Sequence, residues 1–240
     1  MFAIVPAREF YCGLGAIALT NQRFPEPKLT RAFLAISVLA VSLAFSAGSR
    51  AQSGLAEPPT LTAEALKALS RELSRGGYVI YFRHLDTVHD QEDQQPVDLN
   101  DCQKQRNLSA EGIARGKVIA AAFRKLRIPV GEVISSPFCR TVDTAKLLAG
   151  KATVDLDLFF AMSLTNEGKE KKGAALRRLL ARTAGEGKNT LVIGHTANLQ
   201  EAVGLWPKPE GAAYVFRPDG RGSVSAVARI EPGTWGAAAR

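Results

Sequence analysis

The sequence predicts an α/β fold, a three-layer α/β/α sandwich around a mostly parallel central sheet. Short apolar runs with the length of buried strands alternate with longer stretches of helical periodicity. Glycine and proline signals separate these segments. Strands that alternate with helices favour parallel pairing, with helices packed on both faces of the sheet.

The predicted elements begin after a flexible leader over 52–61 and belong to one domain over 62–240. Thr62 can cap the first helix, and Gly76-Gly77 can end it. In chain order the elements are a helix over 63–75, a strand over 78–82, a polar loop over 85–107, a helix over 110–126 and a strand over 132–135.

The second half of the domain follows the same alternation. Ser136-Pro137 is typical of an N-cap followed by proline at the first helical position, which places Arg140 in the first turn. The elements are a helix to 149, an extended run over 153–160, a basic helix over 170–184, a strand over 190–194, a helix over 197–204 and a hairpin over 214–216 and 223–230.

Residues 1–51 are predicted to be a secretory signal peptide. Lys28 and Arg31 precede an uncharged apolar stretch, and small residues near Ala51 suit cleavage before Gln52. An uncleaved membrane anchor is the alternative, since the stretch is near the lower limit of roughly 17–25 residues for a spanning helix. The upstream extension 1–28 is longer than a signal needs, so translation is hypothesised to start near residue 29. The expected location is periplasmic or secreted.

The composition is ordinary for a globular protein, with 46% hydrophobic and 22% charged residues. The net charge of +8 favours anionic ligands. Lysines and arginines are dispersed without interleaved aromatics, so no nucleic-acid partner is expected. The sequence indicates no oligomeric state, and membrane contact is expected only through an uncleaved signal segment.

Basic residues follow the predicted strands at their carboxyl ends. Arg83-His84 follows the first strand, Arg140 follows the second, and His195 follows a later one. Ligands of open α/β sheets bind in the crevice outside the carboxyl ends of the strands. Two arginines bind the oxygens of a phosphoryl group well, and a neutral imidazole can act as a nucleophile. The four side chains therefore predict a phosphoryl-transfer site.

The motifs that carry these residues resemble those of the histidine phosphatase superfamily, the phosphoglycerate mutase-like proteins, of the branch 1 type. Arg83 to Thr87 is similar to Arg-His-Gly-x-Thr, and Leu108 to Gly112 is similar to Leu-[Ser/Thr]-x-x-Gly. Ser135 to Thr141 is similar to Ser-Ser-Pro-x-x-Arg-[Ala/Thr], and Gly194-His195 corresponds to the second histidine. The resemblance spans about residues 62–230.

The resemblance implies a metal-independent phosphatase that hydrolyses phosphate monoesters, and the predicted signal peptide implies that it is exported. His84 would form a phosphohistidine intermediate, with its other ring nitrogen held by a backbone carbonyl. His195 would donate to the phosphoryl oxygens, beside Arg83 and Arg140. Neither a cofactor nor a metal is implied. The expected substrate is small and phosphorylated, and a sugar phosphate of the cell envelope suits the compartment.

Two departures from the family pattern concern Leu85 and the proton donor. Leu85 replaces the usual glycine, which adds bulk next to the expected pocket. The glutamate that protonates the leaving group in many relatives is missing from 156–165, and Thr196 replaces the aspartate of the phytase-like branch. The remaining candidate acids are weak ones: Asp86, Glu167, Asp98 and Asp101.

Two other functions remain open. A phosphate- or phosphosugar-binding protein on an inactive phosphatase scaffold is motivated by Leu85 and the missing acid. A metal-dependent hydrolase would use His84, His89, His195 and Asp86 as ligands, although the nearby arginines would repel the cation. Cys102 and Cys139 form either a disulfide or two separate thiols, because an even cysteine count in an exported protein permits both.

Overall fold

One sheet of six strands runs through the centre of the molecule. The computed structural model describes residues 54–240. The strands are β1 Val79–Arg83, β2 Val130–Ser135, β3 Thr153–Val154, β4 Asn189–Gly194, β5 Ala213–Pro218 and β6 Val224–Ile230. The helices are α1 Ala63–Leu73, α2 Ala110–Lys125, α3 Cys139–Ala149, α4 Asn166–Leu180, α5 Thr196–Val203 and α6 Pro232–Ala238.

The strand order is β3-β2-β4-β1-β5-β6. The first four strands in this order pair in parallel, and β5 and β6 form an antiparallel hairpin at one edge. Arg83, the last residue of β1, pairs with Gly194, the last residue of β4. The residues that follow these two strands therefore emerge side by side, as predicted.

Helices cover both faces of the sheet, which confirms the three-layer prediction. On one face Phe82 of β1 packs against Trp235 of α6, with ring centroids 5.8 Å apart, in a core that α1, α2 and α3 complete. On the other face Tyr81 packs into a second core with α4 and α5. Alternation along β1 thus sends neighbouring side chains into opposite cores.

Four elements differ from the prediction for local physical reasons. Helix α3 begins at Cys139 with Phe138 as the N-cap residue, so Ser136 is not a cap. The run over 153–160 is a strand only at 153–154, because the Asp155 side chain accepts the N–H of Asp157 and turns the chain. Helix α4 begins earlier, capped by Thr165. Helix α6 was not predicted.

Residues 54–61 lie against the domain rather than forming the flexible leader predicted for 52–61. The Leu55 N–H donates to the Val203 carbonyl at 2.8 Å, and the Leu61 N–H donates to the Arg229 carbonyl at 2.9 Å. The Tyr214 hydroxyl donates to the Glu57 carboxylate at 2.6 Å. These bonds tie the segment to the hairpin edge and to the end of α5.

The signal-peptide prediction falls on residues 1–51, which lie outside the described part of the chain. It therefore stays a prediction. Among residues 54–240, no helix combines the length and the apolar character that crossing a membrane requires.

Candidate active site

His84 and His195 lie next to each other at the carboxyl edge of the sheet. Each follows the last residue of a strand, and the two imidazole centroids are 5.5 Å apart. Both side chains are buried. Arg83 and Arg140 line the same cavity, so the structure brings together all four residues that the sequence singled out.

The orientation of the His84 ring is fixed by its own main chain. Nδ1 lies 3.0 Å from the Leu85 carbonyl oxygen, where it donates a hydrogen bond and leaves the lone pair on Nε2. Burial, followed by the positive charge of Arg140, holds the pKa of His84 well below its usual value. The ring is therefore neutral at neutral pH, which is the form that can act as a nucleophile.

His195 is held from two sides. Its Nε2 lies 2.8 Å from the Ser136 hydroxyl oxygen, and its carbonyl accepts from the Tyr81 hydroxyl at 2.7 Å. Burial, and then the charge of Arg140, holds the pKa of His195 well below its usual value too. Nδ1 of His195 is buried and has no hydrogen-bond partner among residues 54–240.

Each predicted arginine is paired with a carboxylate. Arg83 donates to Glu210 at 2.9 Å, and Arg140 donates to Asp93 at 2.8 Å. The Arg140 side chain is only 2% exposed, and its guanidinium lies 4.5 Å from the centroid of the Phe138 ring. These contacts fix two cations in orientation and partly compensate the cost of burying them.

A third arginine, Arg106, also lines the cavity and was missed from the sequence. Its guanidinium lies 3.4 Å from the Glu210 carboxylate, and its backbone N–H donates to Asp93 at 2.9 Å. Asp93 and Glu210 were missed as well, as was the contact of Ser136 with His195. The sequence carries one signal for Arg106, which lies two residues before the motif Leu108 to Gly112.

Cys102 and Cys139 form a disulfide, which decides between the two predicted possibilities. The bond joins the 85–107 loop to the first turn of α3, one residue before Arg140. The Gln105 side chain reinforces this junction, because its Oε1 accepts the N–H of Cys139 at 2.9 Å. The loop that carries Asp93 and Arg106 is thus anchored beside Arg140.

Leu85 does not crowd the cavity, contrary to the prediction. Its side chain is fully buried in the core between the sheet and α2. The core has room there because residue 116 is glycine; a Cβ atom at Gly116 would lie 2.7 Å from a Leu85 methyl carbon. The Leu85 carbonyl meanwhile accepts the bond that orients His84. Leucine at this position is therefore compatible with the site.

None of the four candidate acids lines the cavity. Asp86 pairs with Arg115 at 2.9 Å, and Glu167 pairs with Lys171 on the exposed surface of α4. Asp98 and Asp101 both pair with Lys104, at 3.6 and 3.1 Å. None of the four therefore lies where it would contact a group bound in the cavity.

The cavity has a volume of about 250 Å³. Ligand pockets usually measure about 300–1,000 Å³, so this one accommodates a small group. Its lining combines cations with an apolar wall: Arg83, His84, Arg106, Arg140, Phe160, Met162, His195, Thr196, Ala197, Trp206 and Lys208.

The four ligands of the metal-hydrolase alternative are not gathered at one place. His84 and His195 line the cavity just described, whereas His89 and Asp86 line a separate depression at the start of α2. Within residues 54–240, no three histidine, cysteine, aspartate or glutamate side chains are grouped so as to hold a metal ion.

Comparisons with known proteins gave results only at the level of structure. No protein-family model matches the chain, and no curated protein matches it. Among solved structures, it is similar to the protein histidine phosphatase SixA complexed with tungstate, at 20% identity and a TM-score of 0.48. That match covers 65% of this chain and 97% of that one.

Two further solved structures extend the comparison. A phosphoserine phosphatase from Entamoeba histolytica in complex with 3-phosphoglyceric acid matches at 16% identity and a TM-score of 0.46, covering 66% of this chain and 98% of that one. A mycobacterial glucosyl-3-phosphoglycerate phosphatase matches at 13% identity and 0.43, covering 63% and 96%. These structures are members of the histidine phosphatase superfamily.

Proposed function

We propose that this protein is an exported, metal-independent phosphatase of the histidine phosphatase type, which hydrolyses phosphate monoesters through a phosphohistidine at His84. One observation carries the proposal. The bond from His84 Nδ1 to the Leu85 carbonyl leaves Nε2 unprotonated in a neutral ring. That ring lines a cavity together with three arginines. A nucleophile is thus held beside the cations that bind a phosphoryl group.

The donors around the cavity suit a phosphate dianion. Nε of Arg83, Nε of Arg140 and Nδ1 of His195 are buried and have no partner among residues 54–240. A buried donor without an acceptor costs about 1–3 kcal/mol. The oxygens of a phosphoryl group are strong acceptors, and donors aimed at them stabilise its transition state.

The reaction follows from these positions in two steps. Nε2 of His84 attacks phosphorus, the bond from phosphorus to the leaving oxygen breaks, and the leaving group takes the electron pair. Water then attacks the phosphohistidine, returning the imidazole and releasing inorganic phosphate. Arg83, Arg106 and Arg140 neutralise the oxygens in both steps, since guanidinium groups stay charged at any working pH.

The compartment and the substrate are part of the proposal. The disulfide between Cys102 and Cys139 is typical of proteins that mature in an oxidising compartment. Together with the predicted signal peptide, it supports a periplasmic or secreted location. A small phosphorylated molecule, such as a sugar phosphate of the cell envelope, is the proposed substrate.

Hydrolysis of 4-nitrophenyl phosphate by the purified protein tests the proposal. We expect turnover that a metal chelator does not reduce. Rapid quenching under alkaline conditions should trap one phosphoryl group, located on His84 by peptide mass spectrometry. Turnover that stops with chelator would support the metal-hydrolase alternative. Binding of phosphate with neither turnover nor an adduct would support the binding-protein alternative.

A further inference from the structure

The outer wall of the cavity carries a cation that phosphoryl binding by the arginines does not use. Lys208 lies on the loop between α5 and β5, and its Nζ is 5.1 Å from the centroid of the Trp206 ring. Lys208 is exposed, and it forms no ion pair with any carboxylate of residues 54–240. Trp206 is 40% exposed. The ammonium thus lies over one face of the indole, and both side chains reach solvent at the cavity wall.

This pair is close to the place where phosphorus would react. Lys208 and Trp206 line the same cavity as His84 and Arg140, and that cavity measures only about 250 Å³. An anionic group bound by Lys208 must therefore lie next to the phosphoryl group held by the arginines. The rest of the leaving group would pass over Trp206 towards solvent.

The charge of the lining indicates what kind of group leaves. The titratable side chains that line the cavity are all bases: Arg83, His84, Arg106, Arg140, His195 and Lys208. Asp93 and Glu210 are bound to guanidinium groups as acceptors. Such surroundings stabilise a leaving group that departs as an anion. The inner phosphate of a diphosphate is such a group, and it also places negative charge directly beside the transferred phosphoryl.

We propose that Lys208 and Trp206 form a leaving-group subsite, and that the favoured substrates are diphosphates of a ring-bearing alcohol or phenol, from which the terminal phosphoryl group is removed. This inference rests on the phosphohistidine chemistry of the proposed function and extends it from monoesters to the phosphoric anhydride bond of a diphosphate. Lys208 binds the inner phosphate, and the ring packs beside it against the exposed part of the Trp206 indole.

The chemical step balances with groups that are present. The bond between the terminal phosphorus and the bridging oxygen breaks as Nε2 of His84 bonds to phosphorus. The bridging oxygen leaves with the electron pair as part of a phosphate monoester, stabilised by Lys208. Water hydrolyses the phosphohistidine, giving inorganic phosphate and one proton released to solvent.

Phenyl diphosphate and phenyl phosphate test the inference, because they carry the same ring and differ by one phosphate. We expect kcat/KM of the full-length protein to be at least about tenfold higher for phenyl diphosphate. Lys208→Met should reduce this ratio by about fivefold, in line with about 1 kcal/mol for an exposed charge pair. Lys151→Met, an exposed lysine between α3 and β3, is the matched control and should leave the ratio unchanged.

Trp206→Ala tests whether the indole contacts the ring of the substrate. It should lower kcat/KM for phenyl diphosphate several-fold more than for inorganic pyrophosphate, which has no ring. The inference is overturned if 4-nitrophenyl phosphate is turned over through phosphohistidine while phenyl diphosphate is no better than phenyl phosphate, or if Lys208→Met and Lys151→Met give the same ratio. Failure of turnover on every substrate, without an adduct, would instead overturn the proposed function.

Discussion

The two halves of the candidate site are built in different ways. The histidines stand at the ends of β1 and β4: the Leu85 carbonyl accepts from His84, and the hydroxyl groups of Ser136 and Tyr81 hold His195. The arginines are fixed from loops by carboxylate side chains, with Glu210 and Asp93 as partners.

This difference indicates that the two halves have different functions: the sheet positions the histidines, and the loops position the charged lining. A sheet places a nucleophile accurately, because its strands are paired along their length and buried on both faces. Loops tolerate change, so a charged lining held by loops can be altered without moving the nucleophile. We therefore expect substitutions in the sheet half to lower kcat. Substitutions in the loop half should weaken substrate binding or lower the stability of the fold.

His84→Ala gives the largest expected effect and tests the sheet half. Loss of the nucleophile should lower kcat by more than about 10⁴-fold and abolish the phosphohistidine. His89→Ala is the matched control, because His89 is exposed in the 85–107 loop. Turnover of His84→Ala near that of the wild type would contradict the assignment.

Removal of the disulfide between Cys102 and Cys139 tests the half of the site that is held by loops. Replacing Cys102 and Cys139 by alanine opens a cross-link between residues 37 positions apart. Loops of this size correspond to about 3–4 kcal/mol of unfolding free energy, which urea denaturation would measure. The double variant should also bind substrate more weakly, since Asp93 and Arg106 lie on the released loop.

A reducing agent provides the control for that experiment. It should lower the stability of the wild type to that of the double variant and leave the double variant unchanged. If reduction does not change the urea midpoint of the wild type, the disulfide does not stabilise the folded state.

Glu210→Gln is expected to have a smaller effect. It removes the negative charge that Arg83 and Arg106 both contact. Breaking a largely buried charge pair costs about 2 kcal/mol. We therefore expect kcat/KM to fall about 30-fold. The change should appear mainly in KM, with the phosphohistidine still formed. Glu92→Gln, an exposed acid on the 85–107 loop, should leave both constants near wild type. A fall confined to kcat would contradict the division between the two halves.

The pH dependence of stability tests the burial of both histidines. Both buried histidines have a lowered pKa in the folded state, so they stay neutral as the unfolded chain takes up protons below about pH 6.5. Stability is therefore complete above that pH and is lost as the pH falls, by up to about 1.4 kcal/mol per pH unit for each histidine. Urea midpoints between pH 7 and 5 measure the slope. His84→Asn should halve the contribution of the pair, and an unchanged slope would contradict it.

Sequence reasoning succeeded where the signal is local. The apolar run before His84 and the one before His195 each identify a strand, and the carboxyl end of a strand is a known place for chemistry. The fold class followed from the same alternation. These properties depend on neighbouring residues in the chain, which a single sequence displays.

The parts that sequence reasoning missed depend on distant contacts. Glu210 meets Arg83 across 127 positions, and Asp93 meets Arg140 across 47. Nothing beside either carboxylate in the sequence distinguishes it from a solvated one. Helix α6 was missed because it begins with Pro232-Gly233; it is stabilised by the burial of Trp235 against Phe82 and Phe123.

The contact between Leu85 and Gly116 has a consequence for how this chain can change. Leu85 fills the space that a side chain at position 116 would need. The two positions are therefore coupled: a smaller residue 85 removes the shortest contact that Gly116→Ala would make, although Leu147 carbons at 3.2 and 3.3 Å still have to shift. Leucine at position 85 therefore requires a small residue at position 116, whereas glycine at position 85 would place no such limit there. The side chain of residue 85 is thus constrained by its packing against α2, while the carbonyl of the same residue orients His84.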